Sequence, residues 1–591
     1  MNIKLNLKRG MVLAAVAVML TAGAIYAAFQ ATAPAPSIAL SAFVPQGSLL
    51  SIESSDFAAL LQSWTSSAEQ RAWLASDNYA VFSRSRLFSR LSDAQDEFAT
   101  SAGLAPDMQF LQQIAGRQSI FAWYDIGNLQ FLYITRMSAV TAQQTELLKQ
   151  RGNFQLRKVG DDSFYLRTQG EPERTVAFAV HGDYLLLATR EDLLAGALQL
   201  MQHSSDASLH TEPWYTIATA AAIPSGRVQP ALRMTLNLAR ILPTPYFQSY
   251  WVQQNISELK SYSSAVSDLY LTRQNFREER VLIPASPDTT LPTADLGSVL
   301  QLLPAAAGVY RATAQPSTAD VLAVLDDKLL SRAPSSYRDQ HIAPVADLSV
   351  ENAGSAEDLD TRIDTLSIPL QPLTAAQASL RALFDSAHPT AMLVYSSTNS
   401  TFRTNSKAND SFFLPVHNAV VFVAASPWNA AALQSALSEA LSPHLTVGSS
   451  GLAWQASRHG DVEWFQLAGL QSFAFAVQGN RLILATDPET LLQSLDANVA
   501  AKPITASTIA GFNHTAERAH LARLTSLLDH TVTAAPGDDS APAFFSRNLG
   551  SLSNTFQSLD SETFTETPAA ATAQQPATIH QTVVYQWRAQ P

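Results

Sequence analysis

The chain has 591 residues, 47% of them hydrophobic and only 15% charged, with a formal net charge of −12 and no cysteine. An acidic body disfavours non-specific nucleic-acid binding, which needs clustered Lys and Arg. Without cysteine there are no disulfides, thiolate nucleophiles, zinc–thiolate sites or iron–sulfur clusters, and no acylated Cys of a lipoprotein.

Residues 1–10 are basic, through Lys4, Lys8 and Arg9. Met11–Phe29 then runs for 19 residues without a charge, roughly 28 Å as a helix and close to the ~30 Å hydrocarbon core. This reads as a membrane signal-anchor or a secretory signal peptide. The best-placed small-x-small site is Ala31-Thr32-Ala33, but Pro34 follows it, which disfavours cleavage and favours the anchor. The positive end stays cytoplasmic in either case, which places the body outside the inner membrane, single-pass if anchored and periplasmic or secreted if cleaved. Residues 30–40 form a polar, proline-containing tether.

A first module spans 41–284. It opens at Phe43-Val44-Pro45, with a strand at Ser48–Glu53 and a helix from Ser55-Asp56. Helical periodicity recurs at 56–75, 79–101, 107–115 and 141–151, and strands read near 119–124, 129–135, 154–159 and 163–168. Residues 285–294 are a Pro-rich linker. A second module spans 295–591 and opens alike at Leu302-Leu303-Pro304, with a strand Gly308–Ala312 and a helix capped by Ser317 with Asp320 three residues on. Its strands lie near 391–395 and 419–425, and a helix is expected from Ser426-Pro427. Each module ends on two strands, near 265–273 and 277–283, then near 559–565 and 579–588. Residues 396–411, 533–543 and 566–578 read as mobile surface insertions.

One stretch occurs twice. Residues 177–198 (AFAVHGDYLLLATREDLLAGAL) and 474–495 (AFAVQGNRLILATDPETLLQSL) align without a gap and share 11 of 22 positions; chance would give about one or two. A match this dense argues for internal duplication. Each copy reads as strand, tight turn at Gly182 or Gly479, strand, and amphipathic helix. Thr189 with Asp192, and Thr486 with Glu489, have the spacing of a capping box. His181 beside Asp183 invites an acid–base reading, but the second copy has Gln478 and Asn480, so the turn chemistry repeats and the acid–base chemistry does not. The expected fold is therefore α+β, with two related modules, each a mainly antiparallel sheet packed with helices.

Val44-Pro45 with Ser48–Ile52, Leu303-Pro304 with Val309–Ala312, and the duplicated stretch together give the chain a resemblance. It resembles a family of exported, membrane-tethered bacterial proteins built on a repeated α+β domain of unknown function. The resemblance covers most of the chain after residue 40. It implies an exported α+β protein and supplies no catalytic residues.

The search for chemistry finds little. No histidine begins an HExxH, and Asp358, Asp360 and Asp364, interleaved with Arg362, read as a solvated helix face. Arg84, Arg86 and Arg90 read the same way. There is no Gly-x-Gly, no Walker A loop and no Gly-x-Ser-x-Gly elbow. Ser257–Lys260 matches Ser-x-x-Lys and Ser76-Asp77-Asn78 matches Ser-Asp-Asn, but the order is inverted relative to penicillin-binding enzymes and Lys-Thr-Gly is missing. Trp123, Trp454, Trp464 and Trp587 fall in strands, and Trp64, Trp73, Trp214 and Trp428 among helical apolar neighbours, where packing is the default over a sugar platform. No catalytic, cofactor-binding or metal residue is therefore assigned, and no cofactor. The expected role is a non-enzymatic envelope binding or scaffold protein whose partner is another envelope protein, with the membrane contacted through the N-terminal segment and no nucleic acid. The alternative is an envelope hydrolase whose site is assembled from residues distant in sequence, visible only as a cleft with converging titratable groups.

Overall fold

The computed structural model describes residues 39–588, except 76–78, 80–82, 84–85, 171–172, 203–206, 223–228, 245–258, 273–274, 287–290, 331–376, 399–415, 446–451, 468–471, 498–501, 518–558 and 573–574. The apolar run Met11–Phe29, the Ser76–Asn78 and Ser257–Glu258 matches, Arg84, the acidic group at Asp358–Asp364 and the expected insertion at 533–543 lie outside these residues. Among the described residues no helix is long and apolar enough to cross a membrane.

The protein is α+β with a large antiparallel sheet. In chain order the first strands are β1 (Leu50–Ser54), β2 (Ser119–Asp125), β3 (Gln130–Arg136), β4 (Gln155–Val159), β5 (Asp162–Gln169), β6 (Arg174–His181), β7 (Tyr184–Ala188), β8 (Leu232–Leu236), β9 (Tyr262–Leu271) and β10 (Asn275–Pro284). They lie side by side in the order β4-β5-β6-β7-β3-β2-β1-β8-β9-β10. A short β11 (Ala294–Asp295) follows. Then come β12 (Val309–Ala314), β13 (Pro389–Thr398), β14 (Val416–Ala424), β15 (Trp454–His459), β16 (Val462–Leu467), β17 (Phe473–Gln478), β18 (Arg481–Ala485), β19 (Thr505–Ala506), β20 (Thr508–Asn513), β21 (Leu559–Ala569) and β22 (Thr578–Trp587). With β11 and β19 pairing separately, the others lie in the order β15-β16-β17-β18-β14-β13-β12-β20-β21-β22. The second order repeats the first, strand for strand. The two series meet where β10 pairs with β22.

The duplicated stretch forms β6–β7 with its helix, and β17–β18 with its helix. Phe178 faces Leu187 across the first hairpin and Phe475 faces Leu484 across the second. Gly182 and Gly479 turn the chain at φ +55° and +62°, the left-handed region that glycine enters without a Cβ penalty. The packing around the two phenylalanines also matches. Tyr165 stacks on Phe178 at 5.2 Å and Phe154 meets its edge at 4.8 Å; Phe465 stacks on Phe475 at 4.9 Å and Trp454 meets its edge at 5.1 Å.

Both faces of the sheet are covered around the two hairpins and the strands beside them, where successive residues are apolar on both sides. The alanine-rich face (Ala177, Ala179, Leu186 and Ala188; Ala474, Ala476, Ile483 and Ala485) carries the helices that follow the hairpins. The bulky face (Tyr133, Phe178 and Leu187; Phe422, Phe475 and Leu484) carries the other helices. Those of the first half are α1 (Phe57–Ser66), α2 (Ala68–Leu74), α3 (Arg86–Ala102) and α4 (Met108–Ile114), and the helix after its hairpin is α5 (Glu191–Gln202). Next come α6 (Pro213–Ala221), α7 (Thr318–Leu325), α8 (Ala378–Ala387), α9 (Ala430–Leu445) and α10 (Pro488–Asp496).

Several local expectations need correction. Thr189 and Thr486 do not build capping boxes. Each hydroxyl accepts the first free N–H of the neighbouring strand, from Phe131 at 2.8 Å and Asn418 at 3.0 Å. Helix α10 is capped instead by Asp487, which accepts from the Thr490 N–H at 2.9 Å, with Pro488 at the first helical position. The helix expected from Ser426-Pro427 starts at Ala430, capped by Asn429. The run 141–151 is two short helices, Ala139–Gln143 and Glu146–Lys149, because Thr145 closes one and caps the other. The ends of two insertions are strand: β13 extends to Thr398, and β21 to Ala569, where Glu566, Thr567, Pro568 and Ala569 pair with β22. Strands β8 and β20 were not expected. Strand β20 carries Gly511, which sits opposite Tyr310; a Cβ there would meet the tyrosine ring at 2.5 Å, so glycine makes room for it.

Candidate functional site

The repeated scaffold is closed differently in its two halves. On the bulky face of the second half, Leu322, Leu325, Leu380, Phe384, Leu433 and Leu437 descend from α7, α8 and α9 and are all buried against Phe422, Phe475 and Leu484. On the same face of the first half Ala102, Phe110 and Ile114 share a core cluster with Tyr133, Phe178 and Leu187, but the helices leave a space beside it. Helix α1 buries no residue, and α4 buries Phe110 and Ile114. Between helices and sheet lies a cavity of about 670 Å³, within the ~300–1,000 Å³ typical of ligand pockets.

Its floor is sheet: Ile52 from β1, Phe121 and Trp123 from β2, Phe131 and Tyr133 from β3, and Leu187 from β7. Its roof is Phe57, Leu60, Ala94, Phe98, Phe110 and Leu111 from α1, α3 and α4. The floor aromatics form a ladder. Phe121 stacks on Phe131 at 4.7 Å, lies 5.5 Å from Trp123 and 6.4 Å from Tyr133, whose ring meets the edge of Phe57 at 6.2 Å. The tyrosine hydroxyl is engaged by Ser119 and by the Ile114 carbonyl. The buried indole N–H of Trp123 has no partner among the described residues. Arg174 and Arg190 stand at one end of the cavity. Arg174 pairs with Glu97 at 2.7 Å, and Arg190 is held by Asp192 and by Gln130 at 3.1 Å.

A second group of polar side chains lies across the sheet. Glu53 on β1 faces Arg233 on β8, which faces Asp268 on β9, which faces Glu279 on β10. Arg233 grips buried Asp268 with two bonds of 2.6 and 2.7 Å, and Tyr215 of α6 donates its hydroxyl to Glu53. Burial raises the Glu53 carboxyl above its usual range against the lowering pull of Tyr215 and Arg233. Burial likewise raises Glu279, which Arg277 pulls down and Asp268 pushes further up. Glu53 and Arg233 line a small polar niche of about 110 Å³ with Ser54, Ser55, Gln118 and Gln229. Nearby, Ser41 lies 3.3 Å from His210 Nδ1, but Ser41 is 1% exposed and no substrate reaches its hydroxyl. The ladder is thus a cross-strand network in which charges offset one another.

The candidates read from the sequence are dispersed. His181 bonds Asp162 at 2.9 Å, not Asp183. Trp464 and Trp428 are buried, Trp123 lies in the cavity floor, and Trp64 on α1 is 42% exposed. Among the described residues no group of three His, Asp or Glu is placed to hold a metal ion. The cavity itself was not foreseen: its walls come from six strands and three helices spread over residues 52–232, and each residue alone reads as ordinary core. No family model, curated protein or solved structure matches the chain.

Proposed function

We propose that the protein is a non-enzymatic binding protein of the cell envelope, built from two related α+β modules and held outside the cytoplasmic membrane by Met11–Phe29. The first module receives an apolar ligand and the second is its closed counterpart. The carrying observation is a contrast among the described residues of the bulky face: helix residues are buried together with the sheet in one half, and an aromatic-floored cavity lies between helices and sheet in the other. The repeated strand order, the matched hairpin register and the matched aromatic packing support the duplication. Binding is favoured over hydrolysis because the cavity walls are mostly apolar and most of its polar side chains, among them Glu97, Arg174, Arg190 and Tyr133, are already engaged; the Trp123 N–H is buried without a partner among the described residues. That N–H would suit a ligand oxygen.

An environment-sensitive apolar fluorophore should bind the full-length chain with one site and be quenched on Phe121→Ala. Ala94→Phe, which projects into the same space, should abolish binding while the thermal transition is retained. Absence of a saturable site, or binding unchanged in Ala94→Phe, overturns the assignment. Turnover of peptidoglycan, ester, phosphoester or peptide substrates that vanishes on changing Glu53 would favour the hydrolase. The protein partner expected from the sequence keeps one specific support: Trp64 on α1 and Leu74 on α2 are 42% and 50% exposed, apolar side chains of the kind that meet other proteins.

A further inference from the structure

The cavity reaches the sheet end at Ser54, Ser119 and Leu232. Ser54 and Ser119 also line the polar niche. Ser55, Gln118 and Gln229 in turn line both the niche and an open groove containing Arg117 and Arg136. The three spaces therefore share walls in series, from apolar cavity to cationic groove.

Arg117 and Arg136 are neighbours. The Arg117 N–H donates to the Arg136 carbonyl at 3.2 Å, at the margin of the β2–β3 ladder. Both are exposed, and among the described residues neither guanidinium has a hydrogen-bond or ion-pair partner. The arginines at the opposite end, Arg174 and Arg190, are each neutralised by a carboxylate. In a chain of net charge −12, two adjacent unpaired cations in a groove joined through the niche to an apolar space are the feature that most calls for an anion. Guanidinium groups bind carboxylate and phosphate oxygens through charge-assisted, often bidentate bonds. Glu53 does not oppose this strongly, because its carboxyl faces Arg233, is hydrogen-bonded by Tyr215 and lies on the wall of the niche rather than in the groove.

We propose that the ligand of the first module is an amphipathic oxyanion, its apolar chain in the cavity and its carboxylate or phosphate head between Arg117 and Arg136. The proposal rests on the cavity being a binding site. From Ser119 to Trp123 the floor measures roughly 13 Å at about 3.3 Å per residue, and Arg117 precedes Ser119 by two residues, so a long single chain with its head at Arg117 spans about 20 Å to Trp123.

The test uses the full-length chain and displacement of the apolar fluorophore by four compounds: palmitate, palmitoyl lysophosphatidate, hexadecanol and inorganic phosphate. The two chain-bearing acids should displace the probe at about tenfold lower concentration than the alcohol, the scale of one charge-assisted bond. The stronger of the two identifies the head as carboxylate or phosphate. Inorganic phosphate should weaken the acids and leave the alcohol unchanged. In R117Q/R136Q the preference for acid over alcohol should collapse, whereas R117K/R136K, which keeps the charge, should retain part of it; Arg157→Gln, at a distant exposed strand, should retain all of it. Equal displacement by acid and alcohol in the unmodified chain overturns the oxyanion head and leaves the cavity standing. An intact preference in R117Q/R136Q overturns this location for the head. Failure of every compound, together with failure of the probe to bind, overturns the cavity and the proposal with it.

Discussion

Leu187 and Leu484 are the same residue of the repeat and are 2% and 0% exposed, yet replacing each with alanine should cost different amounts. Leu484 sits in a filled core among Phe422, Phe475, Leu482 and Leu437. Its removal loses about three carbons of transfer free energy, at about 0.8 kcal/mol each, and opens a new void with nothing to fill it. Leu187 faces Phe178 and Tyr133 on the strands beside it but also lines the existing cavity. Its removal loses the same transfer term and only enlarges space already empty. Leu→Ala costs span about 2–5 kcal/mol. Leu484→Ala should therefore fall near the top, about 4–5, and Leu187→Ala near the bottom, about 2–3. The assay is native-state hydrogen exchange on β7 and β18, which reports the opening free energy of each hairpin separately, alongside thermal unfolding. Equal losses, or a larger loss at Leu187, would refute the contrast between an open and a closed half.

Other consequences are simpler. Gly182→Ala and Gly479→Ala should each cost about 1–2 kcal/mol from backbone conformation alone, since an added Cβ meets nothing within 4 Å at either turn; stability unchanged in both would deny the left-handed turns. Thr189→Val and Thr486→Val should each cost about 1–3 kcal/mol, because the Phe131 and Asn418 N–H groups lose their acceptors, and helicity of α5 and α10 should be untouched. Burial raises the folded-state pKa of Glu53 above its ordinary 4.5. Its contribution is therefore fully present below that value and is lost as pH rises through the raised one. Glu53→Gln should flatten this decline, and a wild-type advantage over Glu53→Gln that grows with pH above 4.5 would contradict it.

What could be read from the sequence was local. The alternation of Ala177–Val180 and the Gly-Asp and Gly-Asn turns specify a hairpin without reference to the rest of the chain, and Ser317 and Asp56 cap helices at the spacing the sequence shows. The likeness of the two stretches was legible because Phe178, Gly182 and Leu187 recur as Phe475, Gly479 and Leu484, where packing and turn geometry require them. The cavity was illegible because a cavity is a relation between elements: Phe121 would have the same pattern whether α1 lay on it or stood away. The two threonines misled for a related reason. A hydroxyl just before a helix has two N–H groups within reach, and only the tertiary pairing of β3 with β7, or β14 with β18, decides which it takes. Strand β20 was missed because Gly511 breaks the apolar alternation, and its role appears only opposite Tyr310.

The junction of the halves follows from the strand order. In each half the last two strands, β9–β10 and β21–β22, extend the sheet away from the duplicated hairpin, and they are long, at 10 or 11 residues against five in β1, β7 and β18. A long terminal strand with an open edge is a template for pairing with another chain. Here each half supplies the other's missing neighbour: Asn275–Leu282 of β10 pairs antiparallel with Ile579–Gln586 of β22. A fragment of residues 39–291 would keep every strand of its half, with Leu40 and Leu291 of its core, and lose this cover. It should therefore fold, as judged by its near-ultraviolet signal, but self-associate through β10, because an antiparallel edge can pair with a copy of itself about a two-fold axis. The full chain should stay monomeric at the same concentration. Sedimentation of the two side by side decides it: a folded fragment that remains monomeric would show that the β10 edge needs no partner, and that the joined sheet is a consequence of tethering rather than a reason for it.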